Sequence, residues 1–321
     1  MTYRFIQTHF QTRPVFPADQ FKTNALLVGK SPDGDTIGAD LKATGQFGAK
    51  VKNTIRYLHI DTRETHFAGF DQGKTADLAT DLNLKLLGVT KHMWSLHRRR
   101  LDYVEPVNLS VKALHKGTDR YKRVLGLPFR HDFEVTKGIS NHLTANDPNF
   151  INLLNQTVNY TLVKSGMAYA TFFDQIDPVE ISVFHSAYEY AKKQKLGVWA
   201  DGADLTYTGI YIRTLQDVIG EKALIHPTLF RRLITYFKKH PGTFNPNKFK
   251  QFIASQNIKY RAIKDDFFAK GILEIQEASL DSVLQPEVIE LKDIIQIDKA
   301  PDNKGFVLKI TRPYAGLVRL T

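Results

Sequence analysis

The sequence predicts an α+β protein of two regions, and three observations carry that prediction. Short extended segments separated by turns rich in Gly, Pro and Asp run from Asn24 to Leu127. Helical spacing of Ala and Leu appears over Gln72 to Leu87, and a longer helical pattern over Pro178 to Leu196. The composition then changes after Asp204, in a chain of 321 residues that has room for two domains at ~100–200 residues each. The expected divisions are an N-terminal arm at 1–22, a first domain at 23–204, and a smaller basic α/β accessory domain at 205–321.

Taken in order, residues 1–22 are mixed and carry Pro14 and Pro17, which suits an arm or an irregular strand. The β-rich part starts at Asn24 to Val28, and its first turn is Ser31-Pro32-Asp33-Gly34-Asp35, where Pro followed by Asp-Gly favours a reversal. Val51 to Ile60 reads as the next strand. Gln72 to Leu87 follows helical spacing, with Gly88 as its stop. Lys91 to Arg100 is a basic segment, and two strands, Val107 to Leu114 and Arg123 to Leu127, flank a polar loop at His115 to Lys122. A polar insertion at Arg130 to Asn149 precedes helical stretches at Asn159 to Lys164 and Pro178 to Leu196. From Gly271 to Leu320 the pattern is strand-like again.

Lys and Arg outnumber Asp and Glu by 44 to 33, a net charge of +11 that favours a polyanionic partner. Cysteine is absent, which excludes disulfides, thiolate metal sites and a thiol nucleophile. The first residues lack the apolar core of a signal peptide, and no apolar run approaches the ~20 residues that span a bilayer. A cytoplasmic protein without membrane contact is expected.

Three carboxylates, Asp35, Asp61 and Glu64, lie in or just after turns between strands. Oxygen ligands of this kind suit a hard divalent cation, Ca²⁺ or Mg²⁺, in preference to Zn²⁺. Asp33 reads as a turn-maker. An EF-hand loop starting at Asp33 is excluded, because Thr44 stands at the twelfth position, where a bidentate Glu is required. Arg56 and Arg123 lie in or beside extended runs, where a planar guanidinium can serve a phosphate that gains charge in its transition state. Strand parity would put Arg56 and Asp61 on opposite faces, so a bulge or a strand end is needed between them.

D-G-D-T at Asp33 to Thr36, I-R-Y-L-H-I-D-T-R-E at Ile55 to Glu64, T-D-R-Y-K-R-V-L at Thr118 to Leu125, T-L-V-K-S-G-M-A at Thr161 to Ala168 and A-K-K-Q-K-L-G-V-W at Ala191 to Trp199 together resemble the staphylococcal nuclease family. The resemblance covers about 24–200. It implies an OB-fold-like five-stranded β-barrel with three helices, and a Ca²⁺-dependent nuclease that cuts DNA and RNA with low sequence specificity. By position in those motifs, Asp35 and Asp61 resemble the metal-binding carboxylates and Thr62 a backbone ligand. Glu64 resembles the base that activates water, and Arg56 and Arg123 resemble the catalytic arginines. Tyr121, with Arg120 beside it, resembles the substrate-pocket tyrosine.

The sequence departs from the family pattern in three places. Arg63 replaces a proline, which is expected to make the Glu64 loop less rigid and more basic. Lys122 replaces a glycine and would be strained if that turn needs positive φ. The insertion at Arg130 to Asn149 is longer than the family's hairpin.

Beyond the resemblance, Ala223 to Lys264 contains no Asp or Glu. Its basic residues, Arg231, Arg232, Lys238, Lys239, Lys248 and Lys250 among them, interleave with Phe230, Tyr236, Phe237, Phe244, Phe249, Phe252 and Tyr260, a mix suited to phosphate contact and base stacking. The same aromatics also have the spacing of a helical core. Three functions therefore stand at this point: a calcium-dependent nuclease, a non-catalytic nucleic-acid-binding protein on a nuclease-like module, and a structural scaffold whose C-terminal region recruits a protein partner. The sequence names no protein partner.

Overall fold

The computed structural model describes residues 2–14, 25–27, 32–48, 50–94, 101–105, 109–134 and 142–321. Parts of the expected segments fall outside these residues: 15–22 of the arm, 24 and 28 of the first β-rich stretch and 31 of its turn, 95–100 of the basic segment, 107 and 108 of the strand expected at Val107 to Leu114, and 135–141 of the insertion. The chain divides into two compact units, one of 1–58 with 77–162 and one of 59–76 with 163–321.

In the first unit, a six-stranded sheet runs in the order Leu143–Thr144, Thr2–His9, Ser110–Thr118, Val124–Pro128, Thr54–Tyr57, Thr36–Gly38. The stretch read as an N-terminal arm thus supplies a strand, which pairs antiparallel with Ser110–Thr118 from Arg4 opposite His115 to His9 opposite Ser110. Alternation explains its second half, where Ile6, Thr8 and Phe10 are buried while Gln7 and His9 face out. Phe10 also bridges Ala39, and the Asp40 N–H donates to the His9 carbonyl at 2.9 Å. Five strands therefore curl back on themselves, but a single bridge is not a ladder, and no closed five-stranded barrel forms among the described residues. A second sheet, in the order Thr12–Pro14, Ala25–Leu27, Leu101–Glu105, Lys91–Trp94, completes the strands of this unit.

The helix at Lys74–Leu86 matches its sequence pattern and ends where Gly88 takes φ 95°. The Val89 N–H donates to the Leu84 carbonyl and the Gly88 N–H to the Lys85 carbonyl, which satisfies two terminal acceptors. The run expected as one strand from Val51 to Ile60 is broken. It forms Thr54–Tyr57 and Ile60–Asp61, with His59 between them at φ 63°, so a parity count across it does not apply.

The second unit contains the Pro178–Lys193 helix. Its Asp177 cap accepts from the Val179 N–H at 3.0 Å, and Glu180 accepts from the Asp177 N–H at 2.8 Å. Helices Pro227–Lys239 and Pro246–Ser255 pack through an apolar cluster in which Tyr236 lies against Phe244, Phe249 and Phe252. All seven aromatics of the basic stretch are buried. They form the core and are not stacking platforms for bases.

The second compact unit runs from Val163 across the expected boundary at Asp204 to Thr321. Phe172–Phe173 joins a sheet whose other strands all come from the last part of the chain, in the order Phe172–Phe173, Leu317–Leu320, Lys259–Ile263, Leu284–Glu290. The Asp174 carboxylate accepts from the Thr321 N–H and hydroxyl at 2.8 and 2.6 Å. A sheet shared across the expected boundary leaves no edge at which to separate the parts. Among the described residues, no helix is long and apolar enough to cross a membrane.

Candidate functional site

The residues expected at the site fall into a set carried by the first unit and a set carried by the second. In the first, Asp33 closes its turn as expected, its carboxylate accepting from the Asp35 N–H at 3.3 Å. The turn is held from outside, since Asn83 accepts from the Tyr57 hydroxyl at 2.7 Å and donates to the Asp33 carbonyl at 2.8 Å. Asp35 is buried, forms an ion pair with Arg56, and accepts from the Thr36 hydroxyl at 3.1 Å.

Arg123 stands at the end of a tight turn organised by Asp119. One Asp119 oxygen accepts the N–H groups of Tyr121 and Arg123, each at 2.9 Å. The other receives Arg123 Nε and Nη2, each at 2.7 Å, a two-pronged grip that fixes the guanidinium. Lys122 sits in this turn at φ 64°, the left-handed conformation in which a lysine is strained. Tyr121 is 51% exposed and lies beside both arginines, with the Arg120 and Arg123 guanidinium carbons 4.9 and 5.5 Å from its ring centre. Thr54–Tyr57 and Val124–Pro128 pair in parallel, Ile55 opposite Val124 and Arg56 opposite Leu125. Arg56 lies within Thr54–Tyr57 and Arg123 directly precedes Val124–Pro128, and both arginines are half-buried.

In the second unit, Ile60–Asp61 pairs with Tyr169–Ala170, and Asp61 and Thr62 are buried. Arg63 contradicts the expectation of a looser, more basic loop. It is 1% exposed and donates to the Thr75 hydroxyl at 2.9 Å, the Tyr169 hydroxyl at 3.3 Å and the Ala203 carbonyl. The arginine does by hydrogen bonding what a proline would do by ring constraint. Gln72, which the sequence did not flag, is a second clamp. It accepts from the Glu64 N–H at 2.9 Å and donates to the Ala223 and Ile225 carbonyls at 2.9 and 2.7 Å.

Asp61 and Glu64 share one cation, Arg231. Its Nη1 donates to Asp61 Oδ1 at 3.1 Å and to Glu64 Oε1 at 2.5 Å, and its Nη2 donates to Asp61 Oδ2 at 2.5 Å. Burial alone would pull the Arg231 pKa down, but Asp61 and Glu64 outweigh it and hold the group firmly charged. Arg231 is thus committed to two carboxylates and is not presented as the nucleic-acid contact expected of it. Its neighbour Arg232 is half-buried, and burial, reinforced by Arg319 and Arg231, lowers its pKa. Lys238, Lys239, Lys248 and Lys250 are exposed. His226, the cap of the same helix, is pushed down to about 3 by burial, with Asp61 opposing and Arg231 and Arg63 reinforcing the shift.

A calcium ion takes six to eight oxygens at about 2.3–2.6 Å. Both oxygens of Asp61 and one of Glu64 already accept from Arg231, and no group of three or more His, Cys, Asp or Glu poised to hold a metal occurs among the described residues. As arranged, these residues do not fit the ion.

A comparison with curated proteins returns no match. Residues 54–201 match the family model described as staphylococcal nuclease homologue. The match spans just under half of the chain and takes in Arg56, Asp61, Thr62, Glu64 and the Arg120 to Arg123 turn, while Asp35 and Arg231 lie outside it. This segment of the chain is therefore similar to the staphylococcal nuclease homologue family, a likeness that agrees with its α+β character and with a nuclease-like module.

Proposed function

We propose that the protein is a nuclease that hydrolyses phosphodiester bonds of DNA or RNA with low sequence specificity. The observation that carries this reading is the pair of arginines in the first unit, one within and one directly before two strands that pair in parallel, Arg56 gripped by Asp35 and Arg123 by Asp119. Guanidinium groups held in this way cost little to order when a phosphate arrives, and they stabilise charge that grows in the transition state. Glu64 is assigned to the attacking water, and Tyr121 with Arg120 to the substrate. The exposed Lys238, Lys239, Lys248 and Lys250 are assigned to nonspecific contacts with the polyanion. The family resemblance implies calcium at Asp35, Asp61 and Thr62, and Asp61 could serve that ion only with Arg231 displaced from its carboxylate.

Plasmid cleavage with and without a chelator tests the proposal. Cutting that needs calcium and is abolished by the chelator supports it; no cutting in calcium excludes it. A second reading, a nucleic-acid-binding module without catalysis, is favoured by the neutralisation of Asp61 and Glu64 by Arg231. It gains ground if the chain binds nucleic acid with a steep salt dependence yet leaves plasmid intact under all metal conditions.

A further inference from the structure

We propose that Arg231 is an internal counter-cation that closes the Asp61–Glu64 carboxylates against divalent metal, so that metal enters this pair only when the guanidinium swings away. The proposal rests on the reading of these carboxylates as metal- and water-handling groups. A nitrogen 2.5 Å from Asp61 Oδ2 and another 2.5 Å from Glu64 Oε1 use the lone pairs and the space that a metal ion would need. The two cations would also repel each other in a setting where the Asp61 side chain is only 3% exposed. Binding is therefore competitive, and the apparent metal affinity falls by the fraction of molecules whose guanidinium has left.

The backbone of this latch is fixed. Arg231 sits on Pro227–Lys239, whose Leu229, Phe230, Leu233 and Ile234 are buried in the core of the second unit. Thr228, one turn earlier, adds a hydroxyl 3.4 Å from both Asp61 Oδ2 and Arg231 Nη2. The Arg231 side chain keeps 24% of its surface exposed, so rotation about its own bonds is the available way out. A surface ion pair would exchange with water and screen a metal little. This one meets both carboxylates at once, with the planar fork that suits Arg and not Lys.

The test is calcium titration of the full chain by calorimetry, with thermal melts in parallel. Arg231→Met is expected to bind calcium at least tenfold more tightly than the wild type and to gain a calcium-dependent rise in Tm that the wild type lacks. Arg231→Lys is expected to fall between them, and Asp61→Asn combined with Arg231→Met to lose the gain. Equal affinities in the wild type and Arg231→Met, or no calcium binding in either, overturn the proposal. If Arg231→Met does not fold without calcium, Arg231→Gln, which keeps hydrogen bonds but not the charge, is read by the same criteria. Gained calcium binding without cleavage would remove the nuclease reading and leave the latch. Calcium-dependent cleavage with equal affinities would do the reverse.

Discussion

The two sets of site residues are neutralised in opposite ways. In the first unit, Arg56 pairs with Asp35 and Arg123 with Asp119, both in turns, and each arginine keeps a partly exposed side chain. In the second unit, Asp61 and Glu64 are held by an arginine 170 and 167 residues further along, outside the family-matched segment. A local carboxylate orients an arginine. A shared guanidinium uses up the acceptors that a metal would need. The cationic set is thus held by carboxylates of its own unit's turns, and the acidic set by an arginine far along the chain.

The comparison can be broken most severely at the arginines. Arg123→Ala and Glu64→Gln are each expected to lower turnover by orders of magnitude, about 10²–10⁴-fold, with an unchanged circular dichroism spectrum. Wild-type rates in both variants would mean that neither set serves catalysis. Arg231→Met, measured by chemical denaturation without calcium, is expected to lose about 3 kcal/mol, because two close carboxylates are left without their cation. A loss below about 0.5 kcal/mol would make the ion pair no stronger than an ordinary surface pair.

A third test uses pH. The His226 pKa lies below the ordinary 6.5, so as pH falls the unfolded chain takes up its proton before the folded chain does. Its contribution to stability is complete above pH 6.5 and is lost on acidification towards about 3, with a slope of about 1.4 kcal/mol per pH unit. His226→Asn keeps an acceptor for the Thr228 N–H, which the imidazole now meets at 3.1 Å, and is expected to flatten that slope between pH 6.5 and about 5. An unchanged slope would assign it to other groups. The smallest effect is expected at Lys122, where φ is 64°: Lys122→Gly should stabilise by about 0.5–1 kcal/mol in the same denaturation assay. Destabilisation would show that the turn prefers its lysine.

Local rules made several elements readable. The Lys74–Leu86 and Pro178–Lys193 helices follow from apolar spacing, a Gly stop and an Asp-Pro start, all decided within a few residues. Strands were less readable, because pairing partners are remote: Thr2–His9 shows its role only beside Ser110–Thr118. Arg63 was misjudged for a related reason, since its stabilising partners, Tyr169 and Ala203, are 106 and 140 residues away. Asp119 had a local signal, a carboxylate four residues before an arginine across a turn, and went unused. Gln72 had none.

By itself, the sequence determined the chemistry on offer: the arginines, the carboxylates, the absence of thiols, and the five motif blocks that resemble one family. Those are properties of residue type and spacing, and they do not depend on how the chain closes. Tertiary structure decided which charges meet. It brought Arg231 onto Asp61 and Glu64 and buried the aromatics of the basic stretch, turning an expected nucleic-acid surface partly into a core and a lock. The physical reason is that an ion pair between residues 170 apart gains nothing until the core beneath it has placed both partners.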